Sequence, residues 1–290
     1  LNFDHRKVVL AYGYRLGFAW NDPAMEAVVQ SVLLPNWVES PGSQADAWLG
    51  ISEQQIFDDG ELWTTARDPV NLRHRLQQLV QIRLTSGAPD DTLFVHAGVV
   101  AFPPGLVVVP GPSKAGKSTL VRELVKAGGL FYSDEFAVID SRGLVHPYPR
   151  DLWMRLSQTR REPTPASQLG WTPELAPAPI HLLLACHFEP WARWNPTPIP
   201  VDEAITIMAP HTKPRPKTEI LRRALSRATC LKGARGPAPQ IVQAIAGAWG
   251  NPLRRPPHVQ ENLGHQPADG TQRASGRPLH HEDQNPLFPR

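Results

Sequence analysis

The chain has 290 residues, 41% hydrophobic and 20% charged, enough apolar material for one large domain or two small ones and too much for wholesale disorder. A formal net charge of +3 is too weak to imply a nucleic-acid partner. The 11 histidines show no pair at metal-ligand spacing, and the two cysteines, Cys186 and Cys230, fit a reducing compartment better than a disulfide framework. No apolar run reaches the length of a membrane span and no secretory signal opens the chain, so a cytoplasmic protein without a membrane partner is expected. Leu1 in place of an initiator Met points to a truncated or alternative start.

Residues 1–88 mix short apolar runs (Val8-Val9-Leu10, Val32-Leu33-Leu34) with turn residues and end in a helical pattern, Leu72, Leu76, Leu79, Val80 and Leu84. The polar face of that helix carries Arg73, Arg75, Gln77, Gln78 and Arg83. This zone reads as a small α+β domain whose job the sequence does not reveal.

Residues 89–250 carry the chemistry. Leu93–Val100 and Leu106–Val109 are β-prone runs split by Pro103-Pro104-Gly105, which predicts two strands and a turn. A helix follows over Thr119–Lys126 and ends at Gly128-Gly129. Short strands at Leu130–Tyr132 and Phe136–Ile139 enclose an acidic pair, and Asp140-Ser141-Arg142-Gly143 reads as a hairpin turn before Leu144-Val145. The proline-rich stretch 160–200 reads as a long ordered loop containing a strand at Ile180–His187, and helices are expected at Glu219–Ala228 and Ile241–Trp249. Residues 251–290, rich in proline and poor in aliphatic period, are expected to be a disordered tail.

Between the second strand and the helix lies Gly111-Pro112-Ser113-Lys114-Ala115-Gly116-Lys117-Ser118, an ungapped Gly-x-x-x-x-Gly-Lys-Ser phosphate loop (P-loop, Walker A pattern). Glycines let the backbone N–H groups curl around phosphate oxygens, and the following helix adds its positive end. Lys117 brings a mobile charge to the β and γ phosphates. The Ser118 hydroxyl is the expected Mg²⁺ ligand, and Thr119 is the next nucleotide contact. The alternative, a chance glycine turn, does not account for the strand and amphipathic helix on either side.

Asp134-Glu135 comes one helix after the loop. A carboxylate there can hold Mg²⁺ or take a proton from an attacking hydroxyl; the alternative is a solvated acidic turn. Asp140-Ser141-Arg142-Gly143 also fits the Asp-x-x-Gly of GTPases, but the chain has neither the Asn-Lys-x-Asp guanine-reading motif nor the Ser-Gly-Gly-Gln of transporter ATPases.

With His96-Ala97-Gly98 ahead of the loop, the stations His96, Pro103–Gly105, Leu106–Val109, Gly111–Ser118, Thr119–Lys126 and Asp134-Glu135 resemble the catalytic domain of HPr kinase/phosphorylase and its kinase-like relatives. His146-Pro147-Tyr148-Pro149-Arg150 is similar to a proline-aromatic-proline-basic stretch in many of those relatives. The resemblance implies an α/β P-loop kinase domain similar to that of HPr kinase and to the nucleotide-binding part of phosphoenolpyruvate carboxykinase. It further implies Asp134 as general base and His96 near the γ-phosphate. The HPr enzymes have two aspartates where this chain has Asp134-Glu135, and their glycine-rich stretch for the protein substrate is not visible after Leu156. The expected acceptor is therefore a hydroxyl on a peptide, protein or small molecule rather than the carrier HPr.

The sequence thus predicts an ATP- and Mg²⁺-dependent kinase: Asp134 as base, His96 and Lys117 at the γ-phosphate, and Ser118 with Glu135 at the metal. Arg150, Arg155, Lys213, Arg215 and Lys217 are candidate anion contacts, with Arg155 foremost. A regulatory nucleotide-binding module without phosphoryl transfer is the alternative, and homo-oligomerisation is left open.

Overall fold

The computed structural model describes residues 3–248 except Ser43, Lys114 and 156–160, and leaves out the side chains of Arg155, Arg161 and Ala248. The segment 251–290, expected as a tail, lies outside the described residues. Strands β1 (His5–Ala11) and β2 (Tyr14–Trp20) form a hairpin over Tyr12-Gly13, whose φ values of 53° and 84° are those a two-residue type I′ turn requires. After α1 (Met25–Gln30) come β3 (Val38–Glu39), β4 (Ala47–Ser52), β5 (Gln55–Asp58) and β6 (Glu61–Thr65). They make a six-stranded sheet in the order β3-β1-β2-β4-β5-β6.

Helix α2 (Pro69–Ser86) covers this sheet. Pro69 opens it, and the Asp68 carboxylate accepts from the Asn71 N–H at 2.8 Å, satisfying a backbone donor that the first turn leaves unpaired. The five apolar positions read from periodicity are all buried. On the other face Arg83 pairs with Asp58 at 2.5 Å and Asp59 at 2.6 Å, fastening the helix to the β5–β6 corner.

The second part begins with β7 (Leu93–Phe102) and β8 (Gly105–Pro110), then α3 (Lys117–Lys126), β9 (Leu130–Ser133), β10 (Phe136–Ile139) and β11 (Val145–His146). A separate two-stranded ribbon follows, β12 (Leu152–Arg155) with β13 (Arg161–Thr164). The chain continues through β14 (Ile180–Phe188), β15 (Thr197–Pro198), α4 (Val201–Met208), β16 (Thr212–Lys213), α5 (Thr218–Leu225), β17 (Thr229–Arg235) and α6 (Ala238–Ala248). The large sheet runs β11-β10-β7-β8-β14-β17-β15, with β9 and β16 also paired to β7. Within it β8, β14 and β17 are parallel. The stretch 160–200, expected as a loop around one strand, also contains β13 and β15.

Helices cover both faces of the large sheet. Leu120, Val121 and Leu124 of α3 pack with Ile241 and Ile245 of α6 on one face, and Ala204 and Met208 of α4 pack with Leu221 and Leu225 of α5 on the other. The result is a mixed α/β protein with several sheets. Phe94, Phe136, Val138 and Tyr148 belong to the same buried cluster as Leu16, Phe18 and Leu76. The expected boundary at 88/89 therefore marks the change from one sheet to the other, across a shared core within one compact unit. Phe94 is 1% exposed and meets Tyr12 and Phe136 edge-on. Phe94→Ala is expected to lower stability by about 3–5 kcal/mol, the scale of a buried aromatic truncation, with both sheets unfolding in one transition. Urea unfolding followed by tryptophan fluorescence and far-UV circular dichroism checks this: two separated transitions contradict the shared core.

Candidate functional site

The glycine loop leaves the C-terminal end of β8, the edge at which parallel α/β sheets hold ligands. Gly116, with φ +81°, takes a left-handed conformation as the residue before α3, and its carbonyl accepts the first helical bond from Leu120 N at 3.1 Å. Beside the loop, Gly98 of β7 lets α3 lie close: a Cβ there would come within 2.5 Å of Val121.

Lys117 is only 6% exposed. Its ammonium donates to the carbonyls of Gly111 at 3.0 Å and Pro112 at 2.8 Å. Burial pushes its pKa down, and the charges of Glu135 and Asp134 pull it back up. The next residue, Ser118, donates its hydroxyl to Asp134 Oδ2 at 3.0 Å.

Asp134 and Glu135 sit in the turn between β9 and β10. Ser133 shapes that turn, its hydroxyl oxygen accepting from the N–H groups of Glu135 at 3.0 Å and Phe136 at 2.9 Å. Burial pushes the Asp134 carboxyl up to about 6, helped by the Glu135 charge and opposed by the Ser118 hydrogen bond, Arg150 and Lys117. Glu135 faces Arg150 at 3.5 Å instead. The structure thus brings Ser118 to Asp134, whereas the sequence reading joined Ser118 to Glu135. Arg150 also donates to Gln77 of α2 at 2.8 Å, so the acidic turn is tied to the first sheet's helix.

His96 lies on β7, cross-strand from Phe136, and its carbonyl accepts from Gly111 N at 3.2 Å. Burial lowers its imidazole to about 4, with further lowering from the charges of Lys117, His211 and Lys213. Lys213 was among the candidate anion contacts; β16 delivers it by pairing with β7 at Phe94. Lys217 is held elsewhere, on the Asp90 carboxylate at 2.7 Å. Asp140 accepts from the N–H groups of Arg142 and Leu144 and from the Arg142 guanidinium, which makes the 140–143 segment a hairpin turn between β10 and β11. Lys114 and the side chain of Arg155 lie outside the described residues.

A cleft of about 1290 Å³ joins these groups: His96, Lys117, Ser118, Asp134 and Glu135 on one side, the first turns of α2 and Trp153 of β12 on the other. Residues 1–88 therefore supply a wall of the site. Two contributors escaped the sequence. Gln77 looked like one more polar position on a solvated helix face. Arg235 closes β17, a strand whose Lys232-Gly233 interruption hides it; the residue is 2% exposed, and its guanidinium reaches the loop carbonyls of Ala115 at 3.2 Å and Gly116 at 3.0 Å. Among the described residues no group of three or more His, Cys, Asp or Glu is arranged to hold a metal, and no helix is long and apolar enough to cross a membrane.

No protein-family model matches the chain, and no curated protein matches its sequence. Among solved structures, the HPr(Ser) kinase/phosphatase from Coxiella burnetii is similar at 14% identity and a TM-score of 0.33, over 54% of this chain and 95% of that one.

Asp134 and His96 give stability opposite pH dependences. Between 3.8 and about 6 the folded protein retains a proton at Asp134 that the unfolded chain releases, so this contribution to stability falls as pH rises through that window. His96, kept neutral by burial, contributes stability that is full above 6.5 and lost as pH falls toward about 4. Asp134→Asn removes only the first effect. It is expected to be more stable than wild type at pH 8 by on the order of 1–3 kcal/mol, with the difference gone by pH 4. Urea midpoints of both proteins at the two pH values measure it; equal midpoints at pH 8 contradict the raised carboxyl.

Proposed function

We propose that this chain is an ATP-dependent P-loop kinase that transfers the γ-phosphoryl group to a hydroxyl. The observation that carries the reading is the contact between Ser118 of the glycine loop and Asp134 at 3.0 Å, inside a cleft that also holds Lys117. Loop amides and the α3 N-terminus receive the β and γ phosphates. Lys117 exchanges its two carbonyl partners for phosphate oxygens, which as charged acceptors bind it more strongly.

Asp134 takes the acceptor's proton. A carboxyl raised to about 6 is close to neutral pH, where a general base works best. Arg150 holds Glu135 beside it and supplies positive charge at the acidic turn. The Ser118 hydroxyl and the Asp134 carboxylate, in contact at 3.0 Å, are the groups that would hold Mg²⁺. Mg²⁺ held there would neutralise phosphate charge. The cleft exceeds the volume usual for a single small ligand, leaving room for an acceptor against α2 and Trp153. That acceptor is a hydroxyl of a peptide, protein or small molecule.

Lys117→Ala is expected to weaken ATP binding at least about tenfold, the loss of one charge-assisted contact, while the protein stays folded; calorimetry on both proteins decides, and equal affinities remove the claim. Asp134→Asn is expected to keep ATP binding and lose about 10²–10⁴ in transfer rate, read with labelled ATP and cell extract as the acceptor source, beside Glu135→Gln. Full activity in Asp134→Asn with a dead Glu135→Gln reverses the two roles. Nucleotide binding with no transfer by wild type supports the regulatory module instead.

A further inference from the structure

Arg235 stands behind the glycine loop rather than in front of it. It is the last residue of β17, in register with Phe188 of β14, and its guanidinium carbon lies 5.2 Å over the Phe188 ring. One terminal nitrogen donates to both loop carbonyls, Ala115 O and Gly116 O, and the other to Gly236 O at 3.3 Å. Among the described residues no carboxylate pairs with this charge; besides the three carbonyls, the guanidinium faces the Cys186 thiol. A buried guanidinium that spends its donors on backbone oxygens holds the backbone, because its fork is planar and always charged.

The consequence follows from peptide geometry. In a trans peptide the C=O of one residue and the N–H of the next point in opposite directions, and among the described peptide bonds only Lys213-Pro214 is cis. Fixing Ala115 O and Gly116 O on Arg235 therefore turns the N–H groups of Gly116 and Lys117 the other way, to the side where both residues line the cleft. We infer that Arg235 is a positioning residue that pre-orients the Gly116 and Lys117 amides as donors for a phosphate oxyanion, acting through the backbone without touching the ligand. The inference rests on the phosphate-loop reading and deepens it. It also gives Gly116 a second reason to lack a side chain: a Cβ there would fall 2.1 Å from Arg235 Nη2, and the residue's φ is +81°.

Preformed donors bind an anion without reorganising, so the effect must appear with the bare phosphate group. The probe is inorganic pyrophosphate, titrated by calorimetry and by amide NMR into wild type and Arg235→Met, a substitution that keeps much of the side chain's length and removes its donors. Wild type is expected to bind, with the Gly116 and Lys117 amides shifting. The variant is expected to bind roughly ten- to a hundredfold more weakly, the scale of one to two charge-assisted hydrogen bonds, with those two shifts lost and its circular dichroism unchanged. A variant that binds as tightly as wild type with the same two shifts overturns the positioning role and leaves the phosphate-loop reading standing. Wild type that ignores pyrophosphate overturns that reading and this inference together. A measurement on wild type alone covers a variant that fails to fold. Before any ligand is added, the Gly116 and Lys117 amides should be rigid, with order parameters near about 0.85, and values below about 0.6 overturn the proposal.

Discussion

The Lys117 ammonium has left water, on a residue 6% exposed, and an ammonium without partners in such a place is very costly. Its neighbourhood is arranged to meet that cost. Two carbonyls approach it because the chain turns sharply at Gly111 after β8. Two carboxylates, Glu135 and Asp134, act on it from the turn after β9. The same carboxylates then repel each other, and Arg150 answers on the Glu135 side. Each compensation creates the next demand, which is why groups from β8, α3, the β9–β10 turn and the 146–150 stretch are found together. The carbonyls are the weaker partners and the ammonium sits on a flexible stem, so an anionic ligand can take their place with little reorganisation.

The first sheet takes part in this arrangement through polar contacts more than through its core. The carbonyl of Pro147 accepts from Tyr12 Oη at 2.7 Å and from Asn36 Nδ2 at 2.9 Å. Tyr148 stacks on Tyr12 and meets Phe136 edge-on, while its N–H reaches the Tyr132 carbonyl at 2.9 Å. These contacts pin the chain on the N-terminal side of Arg150, and Gln77 holds the guanidinium itself. The acidic turn is therefore set from both sides, by its own Ser133 and by an arginine anchored on α2. Strand β7 makes the link possible. Its first residues pair with β10 and β16 and its last with β8 and β9, so one strand carries Phe94 into the first sheet's core, His96 into the cleft and Gly98 under α3.

Features encoded within a dozen or so consecutive residues were legible in the sequence. The α2 stripe, the β7–β8 hairpin, the loop with its helix, the strands around Asp134-Glu135 and the Asp140–Gly143 turn all rest on local periodicity or turn chemistry. What escaped depends on neighbours distant in the chain. Strand β17 carries Lys232 and Gly233 where a buried strand usually reads apolar, and it is a strand because β14 lies beside it. Arg235 meets the loop across 119 positions, a contact no spacing rule encodes. Gln77 and Arg73 share a polar face with Arg75, yet only the first two line the cleft, because the β12 side of the fold closes over them. The Ser118–Asp134 pairing was invisible for a related reason: two adjacent carboxylates in a turn differ only in direction, and Ser133 sets that direction.

The titrations of His96 and Asp134 bear on which of them can be the base. His96 and Asp134 have exchanged their usual order: burial drives the imidazole down to about 4 and the carboxyl up to about 6. At neutral pH His96 is then an uncharged and poor base, while Asp134 is ionised and the stronger of the two. On the proposed reading, a triphosphate entering beside Asp134 and Glu135 adds negative charge that raises the Asp134 carboxyl further, toward protonation and away from the state a base requires. Lys117 and Arg150 offset part of this, but Lys117 must also serve the phosphates and Arg150 is already shared between Glu135 and Gln77. A divalent cation on Ser118 and Asp134 would restore the balance, since it lowers the carboxyl while leaving the acceptor's proton a carboxylate oxygen to reach.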